Sequence, residues 1–417
     1  MATPRNGEWL GMDELRPPVY VCLQRTRTSD GSFPPFELDG RVDKAAWAHV
    51  PWSDPFVDIE GPVRKPREYP RTRIKMMYDD DWLYVGAELM ETKIWGTICE
   101  KNATLYHEND FEVFLDPDGS RHNYYPALLI YLISELELNC LNTIWELVLN
   151  KPYKDGHSIQ NPYNLASTRT AVFVDGETNS PLTECTKWCV EAAFSLRDLV
   201  QFDRLRHRVA QPGDVWRVNF SRVQYQLRTV LDDVTQQLVY EKLPDTREDN
   251  IVWAPTGVVD IHRPEKWGFV LFASATDEHE GIQELNQAME RFLNEQIAME
   301  RVLDTVYYDQ RAFSEAHECY AESVATLYGR QDAFPCLALL RAFNLEMPTI
   351  GKTTSSRRSY KPRLDSDEEG EAGDGSRVIV TPRAEEPLLE YTVTIKSATQ
   401  QWHVDHDARL WTPLAPQ

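Results

Sequence analysis

Residues 108–125, "ENDFEVFLDPDGSRHNYY", have the pattern of a β-strand that runs into a tight turn. In "DFEVFLD" acidic side chains alternate with aromatic and aliphatic ones, as in a strand that turns one face to a hydrophobic core. The "DPDG" at 116–119 has the composition of a hairpin turn. A strand followed by such a turn indicates an antiparallel sheet.

Similar short runs fill residues 17–275, rich in Val, Phe, Trp and Tyr and mostly bounded by Asp, Gly, Asn or Pro. They include "TRIKMMY", "DWLYVGAEL", "ELELNCL", "TAVFVDG", "WCVEAAFS", "DVWRVNFSRVQYQL" and "WGFVLFA". No amphipathic helix separates these runs, so we predict a mainly β fold, an antiparallel β-sandwich. Alternation predicts a core that includes Trp82, Val85, Phe111, Val113, Trp188, Val190, Trp216 and Val218.

The hydrophobic period changes after the sandwich. Between Thr276 and Phe313 apolar side chains recur at steps of three and four residues, which predicts a helix of about 35 residues. Residues 276–346 are therefore a predicted helical extension. The helix could pair with another in a dimeric coiled coil, lie against the sandwich or form a short helical hairpin. Residues 276–316 are its predicted contact with a protein partner.

The two ends of the chain differ from the sandwich in composition. Residues 1–16 form a predicted N-terminal tail. Residues 347–386 include a polar, charged run without periodicity, which predicts a disordered linker. Residues 387–417 alternate again and predict a C-terminal β-hairpin.

Composition excludes several partners. The chain has 66 acidic against 44 basic residues and a formal net charge of −22, so we expect no binding to nucleic acid or to anionic membranes. The run "PALLIYLIS" at 126–134 is far shorter than the roughly 20 residues of a membrane-spanning helix, and we interpret it as an insertion or a buried strand extension. The first residues lack the apolar segment of a signal peptide, and the seven scattered cysteines indicate free thiols. We therefore expect a cytoplasmic protein.

The acidic side chains allow two kinds of site. A catalytic carboxylate pair must flank the bond it cleaves, which neighbours on one strand such as Asp110 and Glu112 do not do unaided. Motifs for nucleophilic catalysis and for phosphate loops are also missing, so we expect no enzyme activity. Two acidic loops suit calcium better, with solvated turns as the alternative. The candidate calcium ligands are Asp54, Asp58, Glu60, Asp116 and Asp118.

Several segments together resemble a known family. They are "ELDGRVDKAAWAHVPWSDPFVDIEG", "TRIKMMYDDDWLYVGAEL", "HENDFEVFLDPDGSRHNYY", "ELELNCLNTIWELVLNKPY", "WCVEAAFSL", "PGDVWRVNFSRVQ" and "WAPTGVVDIHRPEKWGFVLF". Over residues 36–273 the chain resembles the family 9 carbohydrate-binding modules, which belong to the wider group of DOMON-like, jelly-roll β-sandwiches. More narrowly, it resembles the stand-alone proteins of that type that carry a C-terminal extension. The resemblance implies a non-catalytic module that grips a mono- or oligosaccharide between aromatic rings, holds structural calcium and is associated with carbohydrate metabolism.

The resemblance also indicates where a sugar would bind. Tyr106 stands at the place of one clamping aromatic, whereas the place of the other, before the "RP" of "DIHRPEKWG", holds Asp260 and Ile261. The candidate sugar-binding residues are Tyr106, Glu112, Asn123, Arg222 and Trp253. Two alternatives stay open at this point. One is a scaffold protein whose sandwich has lost its sugar site. The other is a haem-binding DOMON-like domain with ligands among Met76, Met77, His107 and His262.

Overall fold

A computed structural model of the chain describes residues 15–121, 133–149, 151–155, 160–162, 167–200, 206–274, 279–352, 388–398, 400–406 and 409–411, with the backbone alone for 133, 155, 160–162, 279–292 and 411. The strands of the first part are β1 (Val19–Gln24), β2 (Val57–Asp58), β3 (Thr72–Tyr78), β4 (Trp82–Met90), β5 (Asp110–Asp116), β6 (Ile133–Asn139), β7 (Ile144–Leu149), β8 (Gln160–Pro162), β9 (Arg169–Asp175), β10 (Lys187–Ser195), β11 (Val215–Gln224), β12 (Leu227–Leu231), β13 (Leu238–Lys242), β14 (Asp249–Val252) and β15 (Gly268–Ala273). The other elements are the helices α1 (Leu196–Leu199), α2 (His279–His317), α3 (Val324–Tyr328) and α4 (Leu337–Ala342) and the strands β16 (Thr349–Lys352), β17 (Tyr391–Lys396), β18 (Gln401–Asp405) and β19 (Leu410–Trp411).

One continuous sheet of 13 strands curls on itself to form the sandwich. One half runs β8-β7-β6-β5-β11-β15, with β14 and β2 attached at β11, and the other half runs β3-β4-β10-β9. β1 lies between the halves and pairs in parallel with both β15 and β3. The pairs within each half are antiparallel, for example β5 with β6 and β3 with β4. The predicted antiparallel β-sandwich is confirmed. The sequence did not indicate that β1 connects the two halves by parallel pairing.

The main hydrophobic core lies between the two halves. The predicted core residues Val85, Phe111, Val113, Trp188, Val190, Trp216 and Val218 are all buried there. The prediction for Trp82 is wrong, because its ring packs in a smaller cluster with Trp47 and Tyr84. Trp82 is three residues from Val85, and an odd separation along a strand places two side chains on opposite faces. The seven cysteines, all within the described ranges, form no disulfide.

The predicted long helix is confirmed as α2, which has 39 residues. Met299, Leu303 and Val306 are buried in a second core that α2 forms with α3, α4 and the terminal strands. Gln310, a polar residue in the predicted apolar stripe, is buried and exchanges two hydrogen bonds of 2.8 Å with the backbone of Ala321. The apolar stripe from 293 to 310 is therefore largely occupied by packing within the chain.

A buried ionic cluster fixes α2 to the sandwich. Arg121, in the turn after β5, donates to Glu300 at 2.9 Å and to Asp304 at 2.5 Å. Arg217 on β11 donates to the same oxygen of Glu300 and also to the carbonyl of Trp267. The four charged side chains are nearly inaccessible to solvent. Two guanidinium groups from the sandwich thus face two carboxylates from the helix, so the charges balance in the interface.

The terminal strands form a four-stranded antiparallel sheet, β16-β17-β18-β19, which is larger than the hairpin predicted for 387–417. Its first strand, β16, comes from the beginning of the predicted linker 347–386 and pairs with β17. Residues 353–386, the remainder of that prediction, lie outside the described residues.

The apolar run at 126–134 is described only at its end. Ile133 and Ser134 belong to β6, where they pair with Leu149 and Val148 of β7, and residues 126–132 lie outside the description. β6 therefore begins two residues before Glu135, the position from which the sequence resembles the family again. Within the described residues, the helices are too short or too polar to cross a bilayer.

Candidate functional site

Four carboxylates share one face of the sheet formed by β5, β6 and β11. Glu112 on β5 lies opposite Glu137 on β6 and opposite Ser221 on β11. The period of two adds Asp110 on β5 and Glu135 on β6 to the same face. The intervening residues of β5 and β6 point the other way, into the main core. We call the side presented by Asp110, Glu112, Glu135 and Glu137 the carboxylate face.

The carboxylate face is both crowded and buried. One oxygen each of Asp110, Glu112 and Glu137 lie within 4.8 Å of one another, and all three residues are at most 6% exposed. Asp110 accepts a hydrogen bond of 3.3 Å from the backbone N–H of Val223. One oxygen each of Asp110, Glu135 and Glu137 has no hydrogen-bond partner in the described part of the chain. These carboxylate oxygens can therefore accept a hydrogen bond from a ligand or take up a proton.

Burial disfavours the charged form of these acids. It raises the pKa of Glu112 to about 7, and it raises the pKa of Glu135 to about 8 with the help of the nearby Glu112 carboxylate. Burial and the neighbouring carboxylates also raise the pKa values of Asp110 and Glu137 well above their ordinary range. The face can therefore present hydroxyl donors as well as carboxylate acceptors near neutral pH.

The residues before Asp110 hold the strand in place. Glu108 is buried and accepts hydrogen bonds from the backbone N–H of Thr97 at 2.7 Å and from the side-chain amide of Asn139 at 2.6 Å. Asn109 accepts one of 2.7 Å from the backbone N–H of Tyr225. Glu108 and Asn109 thus connect the start of β5 to neighbouring segments.

Aromatic rings border the carboxylate face. Tyr106, in the turn before β5, is 45% exposed, and its ring lies 5.9 Å from that of Trp145, the β7 residue opposite Glu137. Tyr153 is 42% exposed and meets the ring of His262 edge-on at 4.4 Å. After the larger effect of burial, the carboxylates of Glu135 and Glu137 and the phenol of Tyr106 raise the pKa of Tyr153, which indicates that these groups lie near one another.

His262 connects the aromatic border to the carboxylates. Its Nε2 lies 3.9 Å from a carboxylate oxygen of Glu135, and its ring is 5.7 Å from that of Phe114. Burial lowers the pKa of His262 to about 4, so the imidazole is neutral at pH 7. A neutral imidazole offers one donor and one acceptor to a ligand on this face.

Not all predicted sugar-binding residues meet at Tyr106. Glu112 lies on the carboxylate face, whereas Asn123 lies outside the described residues. Arg222 pairs with Phe111 and so projects to the core side of the sheet, where it donates to Glu91 at 2.9 Å. Trp253 is 5% exposed and packs in the main core. The structure does not bring Arg222 or Trp253 to the carboxylate face.

Hydrogen bonds and an ion pair engage two carboxylates of the first predicted calcium loop. Asp58 accepts hydrogen bonds from the Tyr69 hydroxyl at 2.5 Å and from the backbone N–H of Glu60 at 2.9 Å. The carboxylate of Glu60 pairs with Lys65, while Asp54 is exposed. A cation would have to displace the Lys65 ammonium and compete with these donors.

The second predicted calcium loop is a hydrogen-bonded turn. Asp116 accepts from the backbone N–H groups of Gly119 and Arg121, each at 3.1 Å. Asp118 accepts from that of Ser120 at 2.9 Å. Both carboxylates therefore accept hydrogen bonds that close the turn.

The candidate haem ligands do not converge. Met76 is buried in the main core, and Met77 belongs to the cluster around Trp47, because adjacent strand residues point to opposite faces. His107 is exposed, and His262 faces Glu135. The structure thus brings no methionine–histidine pair of this set together.

With this geometry described, comparisons with known proteins can be given. Residues 38–131 match the sequence model of the family described as "Carbohydrate family 9 binding domain-like". This segment is similar to that family. It covers less than a quarter of the chain and includes β5 with Tyr106 and Glu112. A comparison with curated proteins finds no match.

Solved structures of similar proteins include two of a family 9 carbohydrate-binding module from Caldicellulosiruptor kristjanssonii. The complex with cellotriose is 15% identical, covers 63% of this chain and 96% of its own, and has a TM-score of 0.37. The complex with glucose is 16% identical, covers 62% and 98%, and has a TM-score of 0.36. A putative carbohydrate-binding protein from Bacteroides uniformis is 12% identical, covers 62% and 100%, and has a TM-score of 0.42. These scores are low, and no ligand is assigned from them.

Sequence reasoning missed Glu135, Glu137, Tyr153 and Trp145 as site residues. The alternation in "ELELN" already places Glu135 and Glu137 on one strand face. It does not show that β6 pairs with β5, and this pairing is what joins them to Glu112. Tyr153 reaches the site from a loop, whose direction has no periodic signal.

Proposed function

We propose that the protein is a non-catalytic carbohydrate-binding protein that holds a mono- or oligosaccharide on the carboxylate face beside Tyr106. The observation that carries this proposal is an exposed aromatic ring next to a buried cluster of hydrogen-bonding carboxyl groups. The match of residues 38–131 to the family 9 carbohydrate-binding model supports it independently.

The two parts of the site suit the two sides of a sugar. A pyranose ring has an apolar C–H face, which stacks on an aromatic ring, and an edge of hydroxyls, which both donate and accept hydrogen bonds. Tyr106 supplies the stacking surface, with Trp145 beside it. Glu112 and Glu137 lie in opposite positions on neighbouring strands and supply acceptors, or donors when protonated.

Tyr153 is our candidate for the second aromatic wall. The corresponding place in sugar-binding relatives precedes the "RP" motif, where this chain has no aromatic residue. Tyr153 is exposed and packs edge-on against His262, the residue directly before that motif. An aromatic ring from a different loop would thus replace the missing half of the clamp.

The same geometry favours binding over hydrolysis. A glycosidase places two carboxyl groups on either side of the bond that it cleaves. Asp110, Glu112 and Glu137 all project from one face of one sheet, with oxygens within 4.8 Å of one another. They can hold hydroxyls on one side of a sugar, but they do not straddle a glycosidic bond.

A glycan array followed by isothermal titration calorimetry tests the proposal. We expect wild-type protein to bind a defined set of mono- or oligosaccharides without releasing a shorter product. Binding to no glycan on a broad array would refute the sugar-binding function. It would favour a scaffold protein that has retained the sandwich alone.

A further inference from the structure

We propose that Asp110, Glu112 and Glu137 form a binding site for a hard divalent cation, Ca²⁺ in the first place, with Glu135 beside it. The site differs from both acidic loops that the sequence suggested for calcium. It shares Glu112 and Glu137 with the proposed sugar site, but its test uses the cation alone and so gives a result whether or not the protein binds sugar.

The donor set is the first argument. Asp110, Glu112 and Glu137 each offer a carboxylate oxygen, and hard cations prefer oxygen ligands. Two ligands on opposite sides of Ca²⁺, each at roughly 2.3–2.6 Å, lie about 4.6–5.2 Å apart. The three oxygens all fall within 4.8 Å of one another, so one ion can reach all three without a large movement of the strands.

The second argument comes from atoms that lack partners. Oδ2 of Asp110 and Oε2 of Glu137 are buried and have no hydrogen-bond partner among the described residues. Glu135, which is outside this set of three, is 4% exposed and also has an unpartnered oxygen. Its carboxyl group lies near those of Glu112 and Glu137, so it is directed into the same cluster.

Charge balance is the third argument. Within the described part of the chain, none of the four carboxylates forms an ion pair with a lysine or arginine, and Glu135 meets only His262 at 3.9 Å. Buried carboxylates without a counter-charge must take up protons or bind a cation. Some other buried acids of this protein are paired with a cation, as Glu300 and Asp304 are with Arg121. The carboxylate face thus has the charge and the free oxygens that a cation needs.

The competing state is a cluster neutralised by protons alone. It predicts that Ca²⁺ has no effect on the protein and that amide variants of the carboxylates are at least as stable as wild type. The two states therefore differ in a direct measurement.

The test uses the full chain after treatment with a chelator. Calcium chloride is titrated calorimetrically, and the midpoint of thermal unfolding is measured with and without Ca²⁺. We expect one ion to bind per chain and the midpoint to rise. Glu137→Gln and Glu112→Gln should each weaken Ca²⁺ binding at least tenfold, while circular dichroism confirms that both variants fold.

Two matched variants remove a charge from the acidic loops instead. Glu60→Gln and Asp118→Asn should bind Ca²⁺ as wild type does, because their carboxylates are not part of the proposed site. The proposal is overturned if folded wild type shows neither heat nor a shift in unfolding with Ca²⁺, Mn²⁺ or Mg²⁺. It is equally overturned if binding survives Glu137→Gln and Glu112→Gln but is lost in a loop variant. Failure to bind sugar would leave these results unchanged and would refute only the proposed function.

Discussion

Glu300→Gln should destabilise the attachment of α2 to the sandwich, and the structure allows the size of the effect to be worked out. Glu300 is 3% exposed and accepts hydrogen bonds from both Arg121 and Arg217. The substitution keeps the side-chain volume, so it creates no cavity. It leaves two buried guanidinium groups with Asp304 as the one remaining carboxylate of the cluster.

Removing one partner of a buried ion pair typically costs about 3–5 kcal/mol, because the other charge stays buried without compensation. Arg121 keeps its bonds to Asp304, and Arg217 keeps its bond to the Trp267 carbonyl. We therefore expect the lower end of that range, a loss of about 3 kcal/mol in the free energy of unfolding.

Urea denaturation followed by circular dichroism measures this loss, since α2 is the longest helix among the described residues. The matched control is Asp332→Asn, which breaks an ion pair with Arg330 whose side chains are 70% and 74% exposed. Exposed pairs contribute at most about 1 kcal/mol, so this control should unfold nearly as wild type does. Equal stability of Glu300→Gln and Asp332→Asn would refute the role of the buried cluster in holding the helix.

Three further predictions follow from burial and charge. Tyr106→Ala should weaken sugar binding about tenfold or more, since stacking contributes about 1–3 kcal/mol, and should leave the melting temperature almost unchanged. Trp253→Ala should lower the free energy of unfolding by about 3–5 kcal/mol, measured in urea, because the ring is in the main core; a stable variant would contradict its placement. For Glu265 burial alone would raise the pKa, but Lys154, Arg121 and other cations lower it to about 2. Its charge therefore stabilises the fold above about pH 4.5, and this contribution is lost as the pH falls towards 2. Urea titrations at pH 7 and pH 3 should show that acid destabilises wild type more than Glu265→Gln. Equal acid sensitivity of the two proteins would contradict this assignment.

The strands and the long helix could be predicted because their patterns are local. In β5 the alternation of acids with Phe111 and Val113 gives both the strand and its buried face. The steps between Met299, Leu303 and Val306 give the helix in the same way. The parallel pairing of β1 with β15 and β3 could not be predicted, because the choice of partner strand depends on contacts far away in the sequence.

The candidate site was harder to predict for the same reason. Arg222 has the same strand parity as Trp216 and Val218, so its core-facing direction was available from the sequence. In contrast, the register of β5 against β6 must be known before one can say which acids of the two strands share a face. That register places Glu112 opposite Glu137, and only a three-dimensional structure supplies it.

Isothermal titration of wild type, Tyr106→Ala and Tyr106→Phe with the best ligand from a glycan array tests the central claim most directly. Wild type and Tyr106→Phe should bind the sugar alike, because both keep an exposed ring beside the carboxylate face. Tyr106→Ala should bind at least about tenfold more weakly while remaining folded. If a folded Tyr106→Ala protein bound the same sugar with wild-type affinity, the claim that carbohydrate binds on the carboxylate face beside Tyr106 would be contradicted.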